Sequence, residues 1–168
     1  MILSAFTFFH VALSLIGIGS GFVVVYGLLA SEWLDGWTKL FLATTVATSV
    51  TGFFFPVHHF LPSHGVGILS LIVLAAAIRA ISRYRQTGGM RRTYVIASIL
   101  ALYLNFFVLI VQLFEKVPAL KALAPTQSEP PFQIAQLTAL LFFVAIAIRA
   151  TMKFHYQPSR MAKASAAM

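Results

Sequence analysis

The chain has 168 residues, of which 60% are hydrophobic and only 10% are charged. A soluble domain carries about 25% charged residues and leaves roughly 30% of its chain surface in water at this size, so a soluble globular fold is excluded, and coiled-coil, collagen-like and disordered chains fail on composition as well. Twelve Lys or Arg against four Asp or Glu give a formal net charge of +8, and the lack of cysteine removes disulfides, thiolate metal sites, iron–sulfur ligation and thiol nucleophiles.

The composition leaves an all-α fold, a polytopic transmembrane helix bundle. A spanning helix needs about 20 mostly apolar residues. Five stretches qualify, at about 4–30, 38–58, 64–82, 93–114 and 132–152, and they predict a transmembrane domain over 1–157 with a short cytoplasmic tail at 158–168. The first stretch lacks the positive start of a cleavable signal, and from Ile2 to Ala30 it is too long for one, so it reads as a retained helix. Its Gly17 and Gly21 form a Gly-x-x-x-Gly pair, suited to close packing or to dimerisation. His10 stands inside the same apolar stretch, where an ionisable side chain is a functional hypothesis by default.

Trp33 and Trp37 follow in a loop where an aromatic belt is expected, with Tyr84, Tyr94 and Tyr156 near the same face. On the second helix Thr44, Thr48 and Gly52 recur every four residues as a packing face. Pro56, Pro62 and Gly65 then predict a turn between antiparallel helices. That turn carries His58, His59 and His64. The third helix leads into Arg79, Arg83, Arg85, Arg91 and Arg92, with Gly88-Gly89 as a turn in the loop. These arginines anchor topology and can grip anionic lipid headgroups. The glycines lack the spacing and the following Lys of a phosphate-binding loop.

The fourth helix repeats Ser98, Asn105 and Gln112 every seven residues, with Ala101 on the same stripe. A buried amide must be hydrogen-bonded, so the stripe is either structural or the lining of a ligand cavity. Tyr103 is on another face. Glu115 ends the helix, and the loop to Pro131 holds Pro118, Pro125 and Pro130, fitting an extended cap or a mobile loop. Gln133 and Gln136 open the fifth helix, whose Ala135 and Ala139 offer another packing face.

Ten of the twelve basic residues fall on one side of this arrangement, and only Lys116 and Lys121 on the other. The positive-inside rule then predicts five spans with the N-terminus out and the C-terminus in. The charge is thus a topological address and not a signature of nucleic acid. In a bacterium the location would be the inner (plasma) membrane. Membrane lipids are the expected partners, with a homo-oligomer or a larger membrane complex as further expectations.

On the outer side this topology gathers His10, His58, His59, His64, Glu115, Gln112, Gln133 and Gln136, whereas His155 lies on the inner side beside Lys153. Imidazole suits zinc, copper and iron, histidines from two helices can ligate haem, and neutral imidazole relays protons. The expected metal ligands are His10, His58, His59, His64 and Glu115. A cofactor would touch His10, His58, His59, His64, Asn105 and Gln112. No His-Glu-x-x-His motif occurs, Asp35 is on the opposite side, and no catalytic residue is assigned. Three function classes fit: a redox or proton-coupled metal or haem protein; a non-enzymatic accessory, assembly or lipid- or quinone-binding protein; and a subunit of an oligomeric transporter.

Overall fold

A computed structural model describes residues 2–55, 62–83 and 88–154. Among them are α-helices α1 (Ile2–Ala30), α2 (Asp35–Gly52), α3 (Pro62–Arg83), α4 (Gly88–Lys116), α5 (Pro118–Leu123) and α6 (Pro130–Lys153). The molecule is an all-α membrane helix bundle. The expectations at His58, His59, Arg85, Tyr84, His155, Tyr156 and the 158–168 tail lie outside the described residues.

Among the described residues four helices are long and apolar enough to cross a membrane: α1, α3, α4 and α6. The second expected span is shorter and more polar than the rest. At 18 residues α2 is about 27 Å long by the helical rise, against a hydrocarbon core of about 30 Å. Its buried residues include Thr38, Thr44 and Thr45, so α2 turns hydroxyls toward its neighbours.

Contacts at the helix ends fix the direction of each element. His10 near the start of α1 meets Thr51 at the end of α2. Gly67 near the start of α3 packs on Phe53. Thr38 at the start of α2 meets Tyr94 at the start of α4. Gln136 in the second turn of α6 donates to Phe107 O in the second half of α4, and Ser31 after α1 donates to Lys153 O at the end of α6. Long helices that follow one another in the chain therefore run antiparallel, while α2 runs parallel to α4 and α6 parallel to α1. One end of the bundle holds His10 and His64. The other holds Arg79, Arg83, Arg91, Arg92 and Lys153. We call them the histidine end and the arginine end.

The turn from α1 to α2 closes as a Schellman motif: Glu32 N donates to Gly27 O at 2.8 Å, and Ser31 N points to Leu28 O at 3.4 Å. The motif requires a left-handed residue, and Ser31 supplies it with φ 60°. Glycine is the usual occupant. Serine stands here with its hydroxyl tying α1 to α6 through the 2.7 Å bond to Lys153 O. Behind this turn Trp33 packs on Tyr94 and Phe154 and donates its indole N–H to Asp35.

The loop after α4 is an ordered cap. Pro118 and Pro130 begin α5 and α6 at positions where a missing N–H costs nothing. Gln127, also left-handed at φ 58°, donates to Val111 O at 3.2 Å. Ala124 is buried with Ile110, Phe114 and Ala139 beneath this cap. Gly88-Gly89, expected as a turn, instead begins α4.

The core draws on α1, α2, α3, α4 and α6, with α4 contributing the largest share, and α1, α2 and α4 meet at one close approach. Gly17 and Gly21 are both buried there. A methyl group on Gly21 would stand 2.6 Å from Leu102 Cδ1 and 2.9 Å from Phe41 Cε2. The Gly-x-x-x-Gly pair thus serves packing within one chain.

Candidate functional site

The histidine end is built on the last turn of α2. The Thr51 hydroxyl turns back to its own helix and donates to Ala47 O at 2.7 Å. Its single proton is then committed, and its oxygen is left to accept. His10 Nδ1 lies 2.8 Å from that oxygen. The ring therefore carries its proton on Nδ1, and Nε2 keeps the lone pair. Phe55 meets the imidazole edge-on, with ring centroids 5.1 Å apart, and Phe6 packs behind Phe55 at 5.0 Å. A methyl group on Gly52 would touch His10 Cε1 at 3.7 Å. His10 is half-buried and held on three sides by the end of α2 and the residues after it.

His64, at the start of α3, packs against Phe53 with centroids 5.6 Å apart. Both described histidines of the expected cluster thus lean on the same short stretch, residues 51–55. Glu115 is exposed at the end of α4 and pairs with Lys116 at 3.2 Å. Gln112 is exposed too and reaches Glu115 at 3.5 Å. Along the seven-residue repeat of α4, Ser98 and Asn105 are buried and Gln112 is exposed. Gln133 caps the Ser128 carbonyl at 2.7 Å. Among the described residues no three His, Asp or Glu side chains stand close enough to hold a metal ion.

A second polar region lies deeper. Asn105, 7% exposed, accepts from Ser14 at 3.0 Å through Oδ1. Its Nδ2 lies 3.1 Å from the position a Gly17 Cβ would take, as does Thr45 Oγ1, with Thr44 Oγ1 at 3.3 Å. Thr44 is satisfied by Leu40 O at 2.7 Å. Asn105 Nδ2, Thr45 Oγ1 and Thr48 Oγ1 are buried with no hydrogen-bond partner. With His10 and Thr51 they form a polar strip from the histidine end into the bundle. Phe41 and Leu102, packed over Gly21, stand next to it. Toward the arginine end, Thr38 and Tyr94 share a buried 3.2 Å hydrogen bond, and the Tyr94 hydroxyl also faces the buried Ser98.

Sequence reasoning found His10 and Asn105 but missed Thr51 and Ser14 as their partners. The signal for Thr51 was present, since Thr44, Thr48 and Thr51 continue one face of α2. Compared with known proteins, the chain matches no family model, no curated protein and no solved structure.

Proposed function

We propose that this integral membrane protein carries a histidine site at the end of the bundle where α1 begins, and that the site binds a transition metal or haem iron for redox or proton-coupled chemistry. The carrying observation is the His10–Thr51 hydrogen bond at 2.8 Å. Metal-ligating histidines donate their other ring N–H to an oxygen, which fixes the tautomer and aims the free nitrogen. His10 has that arrangement, with Nε2 as the donor atom. His64 is the described histidine nearest in the chain to His58 and His59, and these three are the proposed further ligands, with Glu115 as a charge at the rim. In this reading α2 is a fifth span, the N-terminus is outside and the C-terminus inside, and in a bacterium the site faces the periplasm.

Metal analysis and an absorption spectrum on gently purified protein test the proposal. We expect stoichiometric metal or a Soret band, lost in His10→Ala while the helical circular dichroism is kept. A colourless, metal-free protein, or metal unchanged in His10→Ala, refutes it.

The buried Asn105, Thr45 and Thr48 atoms favour a second reading, a subunit of a proton-coupled transporter. Intramembrane polar groups are costly and mark ion or proton pathways. Proton flux in proteoliposomes, abolished by Asn105→Leu, supports it. Flux that is absent, or indifferent to Asn105→Leu, removes it.

A further inference from the structure

The arginine end poses a separate problem of charge. Arg79 and Arg83 close α3, and Arg91 and Arg92 stand in the first turns of α4, where the helix dipole disfavours cations. The chain has only four carboxylates. Glu115 pairs with Lys116, Asp35 accepts from Trp33, and Glu129 accepts from Thr126 and Ser128. Among the described residues no Arg forms an ion pair. Glu32 and Asp35, in the turn between α1 and α2, are the carboxylates at this end; among the described residues neither is paired with an arginine, so the arginines are open to an anion from outside the chain.

Beside these arginines α3 and α4 part to form a groove of about 370 Å³, lined by Ile72 and Ala76 from α3 and by Arg92, Ile96, Ala97 and Leu100 from α4. Val73 and Thr93 complete the lining, which is hydrocarbon apart from Arg92 and Thr93. Ile72, Ala76 and Arg79 follow one helical face at spacings of four and three, as do Arg92, Ile96 and Leu100 at spacings of four. Arg92 lines the groove at its charged end, and Arg79 lies one turn beyond Ala76 toward the same end of α3. The groove runs along two membrane-spanning helices, so its floor faces acyl chains and its mouth faces headgroups.

We infer that this groove is a binding site for an anionic phospholipid, with one acyl chain along Ile72, Ala76, Ile96 and Leu100 and the phosphate held by Arg92 and Arg79. Guanidinium recognises phosphate through paired N–H donors, which a zwitterionic headgroup also offers an acceptor for but does not neutralise. A basic pocket between spanning helices on the positive side is the setting in which such headgroups bind. The site lies at the opposite end from the histidines and does not depend on the metal proposal.

Thermal shift of the full chain in detergent tests it, using phosphatidylglycerol, phosphatidylcholine and inorganic phosphate as probes. Phosphatidylglycerol should raise the melting temperature, and the other two should not. Each arginine removed, as Arg92→Gln or Arg79→Gln, should weaken phosphatidylglycerol binding about fivefold. Ala76→Trp, which fills the floor without touching an arginine, should abolish the shift and leave the lipid-free melting temperature in place. Equal shifts from phosphatidylcholine, an equal shift from inorganic phosphate, or Arg92→Gln binding as the parent does would each overturn the inference. Should the variants fail to fold, a photoactivatable phosphatidylglycerol on the unaltered protein decides. Labelling concentrated in 72–100 supports the site, and even labelling over all helices rejects it.

Discussion

Replacing Gly21 by Ala perturbs the most crowded of the described glycines. Two effects compete. Alanine is a better helix former than glycine by about 1 kcal/mol. Against this, the new methyl would stand 2.6 Å from Leu102 Cδ1 and 2.9 Å from Phe41 Cε2. Neither neighbour has room to yield, since Leu102 is 0% and Phe41 1% exposed. Overpacking of such a core costs about 1–3 kcal/mol. Gly19 is the internal reference: it lies on the same helix, and a methyl there meets nothing within 4 Å. The propensity gain is common to both variants, so Gly21→Ala should be less stable than Gly19→Ala by about 1–3 kcal/mol, the overpacking cost alone. Reversible unfolding in mixed micelles measures the difference. If Gly21→Ala matches Gly19→Ala, then α1, α2 and α4 do not meet at Gly21 as described. A dimer interface would instead make the loss depend on protein concentration.

Three further outcomes are expected. Thr51→Val removes the acceptor that orients His10, so metal affinity should fall about 10–100-fold, as for other outer-shell partners; isothermal titration giving the parent affinity would contradict the assigned tautomer. Ser31→Gly relieves the left-handed serine but loses the hydroxyl bond to Lys153 O, two terms of about 1 kcal/mol each that nearly cancel. Ser31→Ala loses the bond and keeps the strain, so it should melt below Ser31→Gly, and the reverse order would count against the turn geometry. Desolvation raises the pKa of Glu129, but hydrogen bonds from the Thr126 hydroxyl and from the backbone N–H groups of Glu129, Thr126 and Ser128 outweigh it and leave the carboxyl below its ordinary value. Its contribution is complete above the ordinary carboxylate range and is lost as pH falls through the lowered folded value. Glu129→Gln should therefore flatten the acid limb of melting temperature against pH, and an unchanged limb would show that the cap is not held by this carboxylate.

Composition and hydropathy alone determined that this is a membrane helix bundle, because apolar runs in α1, α3, α4 and α6 are long enough to be read without their neighbours. Proline and glycine marked most helix ends for the same local reason. The standing of α2 was less legible, since hydropathy averages a helix around its whole circumference and α2 places its threonines inward. Only tertiary structure decided which polar residues are partners. His10 and Thr51 are 41 positions apart, and Ser14 and Asn105 are 91 apart. No local rule pairs them; they meet because Gly17 and Gly21 let α1, α2 and α4 approach closely. The same packing sent the repeat of Ser98, Asn105 and Gln112 in two directions, burying the first two and exposing the third. Periodicity sets the angle of a side chain about its own helix, but what that angle faces is set by the helices packed against it.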